Sequence, residues 1–134
     1  MNPSDEKVKE LIQIAQEIRN NAYAPYSNYT VGSALLTKSG KIYTGVNIEN
    51  ASYPLSVCAE RTAMFKAISE GERDFDMIVI ATKNGGSPCG ACRQVMIEFA
   101  PEMIVISTDD LGNISMWATV NEILPGAFNS KKLV

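Results

Sequence analysis

From residue 4 to about residue 22 the apolar side chains Val8, Leu11, Ile12, Ala15, Ile18 and Ala22 recur every three or four positions. That period predicts an amphipathic helix, with Ser4 as its N-cap and Asp5 and Glu6 suited to the first turn. The pattern then lapses in "AYAPYSNY", a tyrosine-rich loop, and resumes in "TVGSALLTKSGKIYTGVN" as two strands joined by a two-residue turn at Ser39-Gly40. Residues 58–70, "CAERTAMFKAISE", predict a second helix closed by Gly71. "MIVIAT" (77–82) and "MIVIST" (103–108) are short unbroken apolar runs, the signature of strands buried on both faces. Between them a third helix is predicted from Cys89 to about Phe99, stopped by Pro101. "DDLGN" turns the chain into a last strand at "ISMWAT", and Thr119 with Glu122 forms a capping box for a short helix before "LPGAF".

Helix, hairpin, helix, strand, helix, strand is an α/β order. It predicts three layers, α/β/α, with a mixed sheet in the centre and helices on both of its faces. There are no repeats, low-complexity tracts or linkers, and 134 residues with 46% hydrophobic content suffice for one core, so residues 1–134 are expected to form a single domain. No apolar run approaches the roughly 18 residues of a membrane span. The first dozen residues are charged where a signal peptide would be apolar, so a cytoplasmic location and no membrane partner are expected. The net charge of -3 argues against a nucleic-acid partner, which would call for a basic face, and favours a small ligand.

The chain has three cysteines and no histidine. An odd count excludes a complete disulfide framework, and the missing imidazole leaves chemistry to thiolates and carboxylates. Cys89 and Cys92 fall at i and i+3 in the first turn of a predicted helix, on one face and near its positive end; Cys58 begins another helix. Two helix ends can therefore aim three thiolates at one ion. Zinc suits sulfur ligation, and a structural site commonly takes four Cys or His, so three ligands leave an open fourth position, the mark of a catalytic site. Glu60, two residues after Cys58, can flank the same point without ligating. Other readings stand beside this one. A lone cysteine is often a small buried hydrophobe, Cys-x-x-Cys alone fits a redox dithiol, and Glu60 alone fits an acid at a helix start.

"CAERTA" (58–63) and "SPCGACRQV" (87–95) resemble the zinc-dependent cytidine deaminases, in particular their short-chain homotetrameric class. "YAPYSNYTVGSALL", "GVNIENASYP", "FKAISEG" and "LPGAF" are similar to that family's stretches in the same order, so the resemblance spans nearly the whole chain. It implies a hydrolase that converts cytidine and deoxycytidine to uridine and deoxyuridine with release of ammonia, in pyrimidine salvage. One Zn2+ per chain would be held by Cys58, Cys89 and Cys92, hydroxide on the metal would attack C4, and Glu60 would shuttle protons.

The resemblance also assigns roles around that centre. Arg61 matches an arginine that hydrogen-bonds the thiolates; without the motif it would read as an exposed helix residue. Asn47 and Glu49 match positions used on the ribose 3′-hydroxyl, Tyr29 falls where many relatives carry a phenylalanine beside the base, and Ala59 joins the nucleoside-binding set. Ala51 and Tyr53 match positions used on the sugar, partly across a subunit boundary, and Phe128 would reach a neighbouring subunit's base pocket or else fold back on its own domain. A deaminase of another aminopyrimidine nucleoside, such as blasticidin S, shares the zinc motifs and is the rival enzyme. A structural zinc-binding module is the rival outside enzymes, weakened by the missing fourth Cys/His ligand and the placed Glu60.

Overall fold

The computed structural model describes residues 5–133. Five strands form one sheet in the order β2-β1-β3-β4-β5, with β1 at Gly32–Thr37, β2 at Ile42–Val46, β3 at Phe75–Ala81, β4 at Ile104–Thr108 and β5 at Ile114–Thr119. Only β3 and β4 run parallel; β1 pairs antiparallel with β2 and β3, and β4 with β5. The sheet is thus mixed, as the element order predicts. Helix α1 spans Glu6–Ile18, α2 Ala59–Ser69, α3 Gly90–Phe99 and α4 Val120–Ile123.

Alternation along the strands sorts the apolar residues into two layers. Ala34, Leu36, Met77, Val79, Ala81 and Ile106 meet Val8, Leu11 and Ala15 of α1 on one face. Leu35, Ile78, Ile80 and Val105 meet Ala63, Met64 and Ala67 of α2 and Cys92, Met96 and Ile97 of α3 on the other. The three-layer arrangement follows, and β3 is buried on both sides as its unbroken apolar run requires. Glycines let the helices seat closely: a Cβ on Gly32 would stand 2.2 Å from the Ala15 carbonyl oxygen, and one on Gly45 2.2 Å from that of Ala59.

Three local readings need amendment or comment. The β1–β2 turn has three residues, Lys38 to Gly40, where two are predicted. The Thr37 carbonyl accepts from Gly40 N (3.0 Å), Thr37 N donates to the Lys41 carbonyl (2.9 Å), and Gly40 at φ 91 supplies the left-handed step that closes such a loop. The first helix begins at Glu6 behind an extended Asp5, and a short 3-10 turn at Arg19–Asn21 carries the chain past its end; Ser4 lies outside the described residues. The capping box is present, with Thr119 N donating to Glu122 Oε1 at 2.8 Å and Glu122 N to Thr119 Oγ1 at 3.4 Å. Among the described residues no helix is long and apolar enough to cross a membrane.

Candidate metal centre and active site

Helices α2 and α3 share one face of the sheet and bring their N-termini together. Cys58 is the N-cap residue of α2 and Cys89 that of α3, both in extended conformation, and neither sulfur caps its own helix. Both sulfurs are therefore left to face a common point. Cys58 Sγ lies 3.7 Å from Cys89 Sγ and Cys89 Sγ 3.4 Å from Cys92 Sγ, with all three sulfurs within 4.8 Å of one another. The three thiols are free, and all three converge where a redox dithiol would need only Cys89 and Cys92. Three corners of a tetrahedron with zinc–sulfur bonds of about 2.3 Å stand roughly 3.8 Å apart, so the spacing fits zinc. The donor set fits as well. With three cysteines and no histidine in the chain, the usual fourth ligand of a structural site is missing.

Charge at the sulfurs is shaped by their neighbours. The Cys92 thiol and then the Arg61 guanidinium, whose Nη2 donates to Cys58 Sγ at 3.3 Å, bring Cys58 down to about 5. Cys92 is pushed up, by its hydrogen bond to Cys58 and by burial. The Cys58 thiolate therefore forms readily while Cys92 resists ionisation; a dication among the sulfurs would remove that resistance. Among the described residues the Arg61 guanidinium reaches Cys58 Sγ through Nη2, while its Nε is buried without a partner.

Glu60 occupies the second position of α2 and is only 4% exposed. Burial, and then the charge on Cys58, raises its pKa to about 7. A cavity of about 260 Å3 reaches this carboxyl and is lined also by Cys58, Cys89, Tyr29, Asn47 and Glu49. The structure thus gathers into one concavity a buried carboxyl, two of the three sulfurs and three of the residues expected to hold a nucleoside.

Asn47 and Glu49 follow β2, and both also build the cavity wall. The Asn47 carboxamide accepts from Val31 N (2.9 Å) and donates to the Tyr29 carbonyl (2.8 Å). Glu49 accepts from Tyr26 N (3.0 Å), Ser27 N (3.1 Å) and the Ser27 hydroxyl, and that hydroxyl bond, with the backbone donors, holds its carboxyl below the ordinary range. Tyr29 directs its hydroxyl to Asn84 Oδ1 at 2.7 Å, a partner that no spacing in the sequence signals.

Other expected residues lie outside the concavity of this chain. Ala59 is fully buried and its carbonyl accepts from the Ser33 hydroxyl at 2.9 Å, under the site. Ala51 lies in an exposed bend, and Tyr53, 70% exposed, packs edge-on against Tyr26 beside a separate hollow that shares Ser27 and Glu49 with the cavity. Phe128 is 56% exposed, and its carbonyl accepts from Gln94 Nε2 at 2.9 Å. Arg93, which the sequence reading did not single out, fastens the approach to Cys89. It donates to the Pro88 carbonyl (2.8 Å), the Ile123 carbonyl (2.9 Å) and Ser87 Oγ (3.1 Å), tying that turn to α4.

Three sulfurs at two helix ends with a buried carboxyl beside them, on one face of an α/β/α sandwich, define a zinc-dependent deaminase. Comparison with known proteins agrees. The family model for the cytidine and deoxycytidylate deaminase zinc-binding region matches residues 5–108. A cytidine deaminase of Halalkalibacterium halodurans is 50% identical over 125 residues, covering 92% of this chain and 95% of that protein. A blasticidin-S deaminase of Bacillus cereus is 32% identical over 126 residues, covering 87% of this chain and 88% of its own. The crystal structure of cytidine deaminase from Burkholderia pseudomallei superposes with a TM-score of 0.86 at 46% identity, covering 90% of this chain and 98% of that one. The chain belongs to the cytidine and deoxycytidylate deaminase family.

Proposed function

We propose that the protein hydrolyses cytidine and deoxycytidine to uridine and deoxyuridine with release of ammonia. The observation that carries this reading is Glu60, a buried carboxyl opening on the same cavity as Cys58 and Cys89 on one side and Asn47 and Glu49 on the other. Cys58, Cys89 and Cys92 would hold zinc, which supplies the Lewis acidity that makes water a nucleophile at neutral pH.

The protein's own groups divide the remaining work. Water adds at C4 of the pyrimidine; Glu60 takes a proton from it and gives one to ring N3, so the ring carries no net charge as the new C–O bond forms. Glu60 then moves a proton to the exocyclic amine, the C–N bond breaks, and ammonia leaves as the C4 carbonyl forms. Burial supports this double duty, because a carboxyl screened from solvent binds and releases protons near neutrality. Arg61 would draw charge from the Cys58 sulfur it contacts. Asn47 and Glu49 would hold the sugar hydroxyl, and Tyr29 would flank the base.

A homotetramer completes the reading. Ala51, Tyr53 and Phe128 lie outside the cavity and are exposed, the placement expected of residues that serve a neighbouring copy's site. Three free thiols and no disulfide suit a reducing compartment, the cytoplasm.

The test is direct. Purified protein with its zinc content measured is given cytidine, deoxycytidine and blasticidin S, and loss of substrate absorbance and release of ammonia are followed. Turnover of the two plain nucleosides well above that of blasticidin S supports the proposal. Preference for blasticidin S would move the activity to the rival enzyme, and no ammonia from any of them would leave a structural zinc module.

A further inference from the structure

Two loops meet at the cavity, and each is tied down separately. The loop at residues 24–31 is held by the Asn47 carboxamide on Tyr29 O and Val31 N, and by Tyr29 N donating to Ser27 Oγ at 3.0 Å. The loop after β3 is held by Thr82 Oγ1, which accepts from Gly85 N (2.8 Å) and Gly86 N (3.0 Å), and by Ser115 Oγ donating to the Gly85 carbonyl at 2.6 Å. Between these anchored loops runs the bond from the Tyr29 hydroxyl to Asn84 Oδ1. Tyr29 and Gly86 both line the cavity.

Gly86 has no backbone need to be glycine, since its φ is not among the positive values found at Gly40, Gly71, Gly85, Gly112 and Gly126. Its need lies in space. A Cβ there would stand 2.5 Å from the Tyr29 hydroxyl oxygen, whereas the next atoms, Asn84 Oδ1 at 3.6 Å and Tyr29 Cζ at 3.7 Å, are at ordinary contact. A single oxygen atom, the Tyr29 hydroxyl, thus stands where a side chain at 86 would begin, so either it or the substituted residue must shift.

We propose that Tyr29, Asn84 and Gly86 form a latch across the cavity that fixes the Tyr29 ring, and that Asn84 and Gly86 are positioning residues that set nucleoside affinity through it. The proposal rests on the nucleoside reading above. The ring is stiff and its hydroxyl is bonded, so a methyl at 86 must swing the phenol out of place rather than bend a flexible tip. A displaced ring loosens the pocket where substrate binds but leaves Glu60 and the sulfurs untouched. The signature is therefore a raised KM with kcat little changed.

The experiment compares kcat and KM for cytidine, at matched zinc content, in wild type, Tyr29→Phe, Asn84→Ala, Asn84→Asp, Gly86→Ala and the pair Tyr29→Phe/Gly86→Ala. Removing a neutral hydrogen bond should raise KM by about three- to tenfold in Tyr29→Phe and Asn84→Ala, within the usual range for such a bond. Asn84→Asp keeps an acceptor and should stay within about twofold of wild type. Gly86→Ala should raise KM by about tenfold alone but by no more than about twofold when added to Tyr29→Phe, because the clashing oxygen is gone. An equal cost of Gly86→Ala in both backgrounds overturns the latch. Melting temperatures of the same four Tyr29 and Gly86 combinations give a second cycle that needs no turnover. If cytidine is not a substrate but Gly86→Ala still destabilises only while the Tyr29 hydroxyl is present, the functional reading fails and the latch stands; equal destabilisation in both backgrounds sinks the latch.

Discussion

Gly45→Ala tests how the sheet positions the chemistry. Gly45 lies in β2 under the first turn of α2, and a methyl built there would fall 2.2 Å from the Ala59 carbonyl oxygen, 2.6 Å from Ala63 N and 3.0 Å from Ser33 Oγ. Ser33 Oγ can rotate away. The Ala59 carbonyl and Ala63 amide cannot, because they belong to helix backbone, so relief to ordinary contact near 3.4 Å requires α2 to withdraw by about 1 Å. Overpacking of this kind costs about 1–3 kcal/mol, a fall of several degrees in melting temperature. The catalytic loss should be larger in proportion, since Cys58 and Glu60 flank Ala59, and a misplacement of about 1 Å can cost on the order of 10²-fold. The assay pairs a thermal melt with kcat for cytidine and with the rate at which a chelator strips zinc. Gly45→Ala should melt lower, lose zinc faster and turn over about 10²-fold more slowly, and adding Ser33→Ala should not restore it. Wild-type kcat and zinc retention in a folded Gly45→Ala protein would show that α2 does not need its close seat on β2.

Glu60→Gln should keep zinc while lowering kcat by at least about 10²- to 10⁴-fold, the contribution of a positioned proton-transfer group; near-normal turnover would remove Glu60 from the role. Glu49, with its pKa held below the ordinary 4.5 by the Ser27 hydroxyl, contributes stability that is fully present above that value and is lost as pH falls through its lower folded value. The stability gap between wild type and Glu49→Gln should therefore be constant above about pH 4.5 and shrink below it; a gap unchanged down to pH 3 would deny the carboxylate that grip on the loop. Refolding Glu60→Ala together with Phe128→Ala should give more activity than the mean of the two alone if Phe128 serves a neighbour's site. No gain in mixed assemblies verified by mass would confine Phe128 to its own subunit.

Elements with a strong period were legible in the chain, and so was the metal set. The unbroken runs at 77–82 and 103–108 appear as the central parallel pair, and the box at Thr119 and Glu122 is formed as its residue types require. Cys58, Cys89 and Cys92 were legible because a helix N-terminus is a local feature: each cysteine's place in its own first turn fixes most of where its sulfur can go. The turn at Lys38–Gly40 was misjudged by one residue because its length depends on where β1 stops pairing, which Gly40 alone does not report. The partners of Glu49 and Tyr29 were invisible for a different reason. Ser27 and Asn84 meet them only after two loops are folded against each other, at separations of 22 and 55 residues, and polar loop residues carry no period.

The all-sulfur donor set has an electrostatic consequence that the fold answers. Three thiolates carry one negative charge more than a dication cancels, where three neutral imidazoles would leave both positive charges intact, so a thiolate site is a poorer electrophile unless charge is drawn from its sulfurs. Cys58 and Cys89 are N-cap residues and Cys92 lies in the first turn of α3, so all three face positive helix ends. Arg61 adds a full charge at 3.3 Å from Cys58 Sγ, and its position three residues on in α2 places it over the same turn. The groups that draw charge away are thus carried by the same two helices that supply the sulfurs. A displacement of α2 would therefore move Cys58, Arg61 and Glu60, the proton carrier proposed above, as one body, so the local balance of charge around Cys58 would survive small motions while its distance from Cys89 and Cys92 on α3 would not.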